Sequence, residues 1–251
     1  METSDLPEAI PASTLILMKP GLSAPEILVM ERAATMAFAA GALVFPGGRI
    51  EPQDESLAVG QQAPEAAARI AAIRETIEET GIAIGLLPQP DAALAALIRA
   101  DLARNLPFET MLARHGLTLD LEALIPFARW CPNFRETRRF DTLFFLAQAP
   151  EEAGPASGDE AESVRAFWAS AGDILKMVEA GRAHVIFPTR RNLERLARFG
   201  SFEEARTDAE RHPVRKITPW VEQRGETHWV CIPEDIGYPV TAERLETARR
   251  R

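Results

Sequence analysis

The run Pro64 to Gly81, PEAAARIAAIRETIEETG, constrains the fold more than any other stretch of the chain. Pro64 suits a first helical turn, Glu65 favours the positive end of a helix dipole, and Gly81 supplies a stop. A helix is therefore predicted over Pro64–Glu79. At about 100° per residue, with Glu75 at zero, Glu78 lies near 300° and Glu79 near 40°; Ala66, Ile70, Ile73 and Ile77 lie at about 160–220°. One face must be buried and the other gathers three carboxylates. Like charges at i, i+3 and i+4 repel by about 0.2–0.5 kcal/mol per pair on an exposed helix. A divalent cation offsets that repulsion directly, and hard carboxylate oxygens suit Mg²⁺ or Mn²⁺. A solvated acidic face is the alternative. Arg74 can reach Glu78 at i+4 and orient it.

Upstream, Thr14–Lys19 (TLILMK) and Glu26–Arg32 (EILVMER) are apolar runs joined through Pro20, Gly21 and Pro25, which predicts two adjacent strands. A third short strand, Gly41–Phe45, runs into Pro46-Gly47-Gly48, where the backbone must turn sharply. Residues 49–62 are polar and contain Pro52 and Gly60, so a loop is expected. Residues 88–125 are rich in Ala and Leu and read as an inserted pair of helices. Phe127–Trp130, Arg139–Ala147 and Ser163–Trp168 are expected strands, and Ala171–Ala180 and Thr189–Phe199 expected helices. Pro213–Val221 and Thr227–Ile232 resemble a closing strand pair. This irregular alternation favours an α+β fold, a mixed sheet sandwiched between helices, over a doubly wound parallel sheet. The expected organisation is one domain over 1–251, with its core at about 12–235 and the helical insertion at about 88–125.

The chain has 251 residues and a formal net charge of −9. That acidic balance argues against general nucleic-acid binding, which needs a basic footprint. No run of about 18 apolar residues exists to span a membrane. The acidic start METSDLPEAIPAS lacks a signal-peptide pattern, and the ending TARRR is not a peroxisomal address. Cys131 and Cys231 lie far apart with no metal-ligand spacing, so a reduced, cytoplasmic chain is expected. The four histidines, His115, His184, His212 and His228, have no metal spacing either. A homodimer is left open.

The stretch Arg74-Glu75-Thr76-Ile77-Glu78-Glu79-Thr80-Gly81-Ile82 resembles the box of the Nudix hydrolases: Gly, five residues, Glu, seven residues, then Arg-Glu-U-x-Glu-Glu-x-Gly-U, U being a bulky aliphatic. Gly48 matches the opening Gly, and Arg74, Glu75, Glu78, Glu79, Gly81 and Ile82 match the second half. Three departures stand out. Asp54 occupies the first Glu position, 19 residues rather than seven separate it from Arg74, and Thr76 fills an aliphatic position. Glu51, Glu55 and Glu65 compete with Asp54 as the equivalent of that first Glu. A second stretch is similar to the signature of CoA-cleaving members. Leu28-Val29-Met30-Glu31-Arg32-Ala33 opens it, Gly41 and Phe45-Pro46-Gly47-Gly48 close it, and Ala37 stands where that signature has Arg. The lengthened box, the helical insertion, Arg138–Thr142 and Pro188–Glu194 together look like the acyl-CoA diphosphatase subgroup.

The resemblance implies metal-dependent hydrolysis of a nucleoside diphosphate linked to another moiety. CoA or acyl-CoA leads as the small-molecule substrate; ADP-ribose, a nucleotide sugar or a dinucleoside polyphosphate is the alternative. A non-catalytic nucleotide-binding module of the same fold is the third reading. Glu75, Glu78 and Glu79 are the implied ligands of Mg²⁺ or Mn²⁺. Glu75, Glu78 and Arg74 are the implied catalytic group, with Glu75 the candidate proton acceptor inside the box and Glu160 and Glu162 candidates outside it. Arg32, Phe45, Gly47 and Gly48 are the implied substrate contacts. For Arg32 the alternative is the solvated end of an edge strand; Arg190, Arg191, Arg195 and Arg198 read first as a solvated face, with a ribose-phosphate contact as the alternative. Phe140, Phe144 and Phe145 read as core. The insertion is expected either to line a channel for an acyl–pantetheine arm or to serve packing alone.

Overall fold

Apolar residues alternate along the first strand, β1 (Ala9–Lys19), and both of its faces are covered. Leu15 and Leu17 enter one core, Ile16 and Met18 the other. The computed structural model describes residues 7–32, 41–132, 139–150 and 165–250. In chain order, β1 is followed by β2 (Glu26–Glu31), β3 (Leu43–Val44), β4 (Gly47–Arg49), α1 (Pro52–Ala58), α2 (Ala66–Thr80) and β5 (Leu86–Leu87). Next come α3 (Ala92–Ala103), α4 (Phe108–His115), β6 (Thr118–Leu119), β7 (Ile125–Trp130), β8 (Arg139–Gln148) and β9 (Arg165–Ser170). The remainder comprises α5 (Ala171–Glu179), α6 (Phe187–Leu196), α7 (Phe202–Arg211), β10 (Lys216–Ile217), β11 (Trp220–Arg224), β12 (Thr227–Cys231), β13 (Ala242–Arg244) and α8 (Leu245–Arg250).

The main sheet is mixed. Its order is β10-β7-β8-β1-β2-β3, with β4 paired to β1 and β9 to β2. β1 and β8 run parallel over ten residue pairs, while β1–β4, β2–β9 and β7–β8 are antiparallel. The first core lies between one face of this sheet and α2, α3 and α4; the second lies between the other face and α5, α6 and α7. The sandwich expected from the sequence is thus present. Its insertion packs onto the first core through Ile98, Leu102, Phe108 and Met111. No helix among the described residues is long and apolar enough to cross a membrane.

Several elements differ from the sequence-based expectation. Residues 49–62 are not all loop: α1 forms there, with Pro52 in its first turn and the Glu51 N–H donating to the Asp54 carboxylate at 2.8 Å. Gly47–Arg49 is a strand on β1 rather than only a turn. The expected closing pair exists as β11–β12, but with β13 it forms a separate three-stranded sheet, while Lys216–Ile217 joins the main one. The helix α7 carries little signal in the sequence. Its residues FEEARTDAER bury only Ala205 and Ala209, too small an apolar stripe to stand out. The segment 163–164 of the expected strand lies outside the described residues.

Candidate active site

The helix α2 delivers the site because its isoleucine stripe fixes its roll. Ile70, Ile73 and Ile77 are fully buried in the first core, each contributing about 1.5–3 kcal/mol. The opposite arc then faces β4. Gly81 ends the helix at φ 74°, with its N–H bonded to the Ile77 carbonyl at 2.8 Å, a conformation that glycine adopts without a Cβ clash.

Two glycines let β4 come against this arc. The Gly47 N–H donates to Glu79 Oε2 at 2.9 Å. A Cβ on Gly47 would fall 2.3 Å from the Ser13 carbonyl oxygen, and one on Gly48 would fall 2.3 Å from Glu75 Cδ. Backbone therefore bars a side chain at Gly47, whereas at Gly48 the obstacle is the tip of the Glu75 side chain.

Arg74 is the hub. It is buried, and its guanidinium grips Asp54 with two bonds, Nε to Oδ1 and Nη2 to Oδ2, each 3.0 Å. Nη1 lies 2.9 Å from Glu75 Oε1 and 3.2 Å from Glu78 Oε2, and Nη2 donates to the Arg49 carbonyl at 3.2 Å. The expected Arg74–Glu78 contact is present, and Glu75 is braced as well. Of the four candidates for the first acidic position, Asp54 is the one that is fully buried and paired with Arg74. The extra residues of the lengthened box fold into the end of α1 and the turn before α2, so they do not separate Asp54 from Arg74.

Negative charge at this hub outweighs what Arg74 can neutralise. Burial alone would lower Arg74, but Asp54, Glu75 and Glu78 outweigh it and the pKa is raised. Burial pushes the Glu75 carboxyl up, more than Arg74 pulls it down. Glu78 is pushed up to about 7 by burial, with Glu75 and Glu51 adding to the shift and Arg74 opposing it. Among the described residues no three carboxylate, histidine or cysteine groups are gathered into a finished metal-holding arrangement. Glu75 and Glu78 lean on Arg74, and Glu79 on Gly47. The donor set itself fits a hard divalent cation: three carboxylates from consecutive turns, two of them sharing one guanidinium, so that a cation would favour their ionised forms.

The other sequence-derived candidates fall elsewhere. Phe45 is a correction: it is 3% exposed and packs in the second core, across the sheet from α2, so it offers no surface to a ligand. Arg32 directly follows β2, its N–H donating to the Ala42 carbonyl at 3.0 Å, and its Nε is buried without a partner among the described residues; it is not simply solvated. Phe144 and Phe145 are core, as expected. Arg191 and Arg195 do not form a solvated face. Both are buried, Arg191 against Glu194 and Glu243 and Arg195 against Asp208. Cys131 and Cys231 are free thiols. Ala33, Ala37, Arg138, Glu160 and Glu162 lie outside the described residues. Sequence reasoning missed Arg99, which reaches the carbonyls of Glu78 and Glu79 from α3. Its signal is a lone cation in the apolar run ALAALIRA.

No family model matches the chain. It is similar to the acyl-coenzyme A diphosphatase NUDT19 of Gallus gallus, 26% identical over 237 residues that cover 71% of this chain and 63% of that protein. The Homo sapiens protein of the same name is 30% identical over 158 residues, covering 56% of this chain and 41% of the relative. The chain thus spans less than two thirds of the length of these curated relatives. Among solved structures, a Nudix hydrolase from Alicyclobacillus acidocaldarius superposes with a TM-score of 0.70 at 28% identity, covering 80% of this chain and 96% of that one. The box residues around Arg74, the mixed sheet and these relatives agree: the chain has the Nudix fold and is similar to Nudix hydrolases, acyl-coenzyme A diphosphatases among them.

Proposed function

We propose that the chain is a divalent-metal-dependent diphosphatase that cleaves CoA or acyl-CoA to adenosine 3′,5′-bisphosphate and (acyl-)phosphopantetheine. The observation that carries the reading is the docking of Glu79 on the Gly47 N–H and of Glu75 against Gly48, while Arg74, itself held by Asp54, braces Glu75 and Glu78. The names of the vertebrate relatives support CoA-type substrates.

Glu75, Glu78 and Glu79 would hold Mg²⁺ or Mn²⁺, which when bound neutralises diphosphate charge and acidifies a water molecule. The protein's own groups do the rest. Arg74 fixes the rotamers of Glu75 and Glu78 and keeps both carboxylates near one another despite their repulsion. Glu75, held against Gly48, is the proposed acceptor for the proton of the attacking water. Small residues at 47 and 48 leave the diphosphate room to approach α2. Arg32 is proposed as a substrate contact, because its buried Nε, without a partner among the described residues, retains a donor for an anionic group. The two free thiols support a reducing, cytoplasmic setting.

The test is a product-resolved assay of CoA, an acyl-CoA and ADP-ribose with Mg²⁺ or Mn²⁺, with EDTA as control. Preferential release of adenosine 3′,5′-bisphosphate supports the reading. Preferential cleavage of ADP-ribose replaces the substrate, and binding of these compounds without turnover replaces the enzyme by a nucleotide-binding module.

A further inference from the structure

The insertion does more than fill space beside the first core: it touches α2, the helix of the three carboxylates, from end to end. Near the start of α2, Arg69 is buried and donates to the Leu121 carbonyl at 2.6 Å and to the Leu124 carbonyl. Alongside, the Phe108 N–H of α4 donates to Gln53 Oε1 on α1 at 3.2 Å, next to Asp54. At the far end, Arg99 of α3 donates from Nε to the Glu78 carbonyl and from Nη2 to the Glu79 carbonyl, each 3.3 Å. Its stem covers Gly81, where an added Cβ would lie 3.1 Å from Arg99 Cδ.

The last carbonyls of a helix have no partner within the helix and carry the negative end of its dipole. Arg99 meets both needs at the turn that bears two of the three carboxylates. Arg99 is itself held firmly. Ile98 and Leu102 anchor α3 in the first core, and the Asp101 carboxylate ties it to α4 through Arg114 and His115, both at 2.9 Å.

We propose that Arg99 is a positioning residue: by holding the Glu78 and Glu79 carbonyls it fixes the last turn of α2, so that the inserted helices brace the metal site. This rests on the metal reading above. A loosened last turn would leave Glu78 and Glu79 free to separate, and cation affinity would fall although no ligand had been removed.

The test uses the full chain and Mn²⁺ alone, with free ion followed by electron paramagnetic resonance, and compares wild type with Arg99→Ala, Arg99→Gln, Arg99→Lys and the exposed control Arg104→Ala. Arg99→Ala and Arg99→Gln are expected to weaken Mn²⁺ binding about 10-fold, as loss of an outer partner of metal ligands does. Arg99→Lys, which keeps the cation, should fall between, and Arg104→Ala should match wild type. Thermal melts set a temperature at which every variant is folded; if Arg99→Ala does not fold, Arg99→Gln carries the comparison. Wild-type affinity in folded Arg99→Ala or Arg99→Gln overturns the inference and leaves the metal reading standing. A wild-type chain that binds no Mn²⁺ overturns both.

Discussion

The Glu75 carboxylate occupies the volume that a side chain on Gly48 would need: an added Cβ would lie 2.3 Å from its Cδ. The obstacle is the tip of a flexible side chain, not backbone. Gly48→Ala is therefore expected to fold with a melting temperature close to wild type while swinging Glu75 away. Displacing a reacting group by an ångström costs on the order of 10²-fold in rate, and turnover should fall by that factor. Circular dichroism alongside the diphosphatase assay checks both halves; wild-type turnover in Gly48→Ala would remove Glu75 from the chemistry.

Asp54 and Arg74 form a fully buried, two-bond ion pair. Removing one partner of such a pair costs about 3–5 kcal/mol, because the other charge is left buried. Arg74 retains Glu75 and Glu78, so Asp54→Ala should destabilise by about 3 kcal/mol, the low end of that range. Urea denaturation measures this directly. A loss below about 1 kcal/mol, the size of an exposed pair, would mean that Asp54 is not the anchor of the hub.

Metal-free stability should depend on pH through Glu78. Its folded pKa is raised from 4.5 to about 7, so between those values the folded state binds more protons than the unfolded one. Stability from this group is fully present below about pH 4.5 and is lost as pH rises through about 7. Melting temperatures of EDTA-treated wild type should decline across that window relative to Glu78→Gln. Saturating Mg²⁺ should remove the decline by favouring the ionised carboxylates. A flat difference between the two proteins would show that Glu78 is not desolvated as described.

Glu78→Gln and Glu79→Gln should each reduce turnover at least ~10²-fold, the loss expected when a charge-stabilising group is removed. The two mutants should differ in stability: Glu79 accepts the Gly47 N–H, whereas Glu78 is destabilised by its ionisation. Steady-state kinetics with Mg²⁺ titration checks the first point and thermal melts the second.

Much of this site is legible in the amino-acid sequence, because helical periodicity sets the isoleucine stripe opposite Glu75, Glu78 and Glu79 without reference to the rest of the chain. The sheet between helices follows in the same way from runs such as TLILMK and RFDTLFFLA. The remainder depends on contacts across long sequence separations. Asp54 is one acidic residue among four in the sequence, and only its burial beside Arg74 singles it out. Phe45 sits in a glycine-rich turn that suggests a ligand contact, but alternation places it on the far face of the sheet. Arg191 and Arg195 read as surface charge because their partners Glu243 and Asp208 are distant in sequence. Arg99 is hidden because its partners are backbone carbonyls, which no sequence motif displays.

The most direct measurement is anomalous scattering from crystals soaked with Mn²⁺ and a slowly hydrolysed CoA analogue. A manganese peak bounded by Glu75, Glu78 and Glu79, close to Gly47 and within reach of the diphosphate, is the expected result. Ordered diphosphate on α2 with no manganese among those three carboxylates would contradict the metal-dependent mechanism.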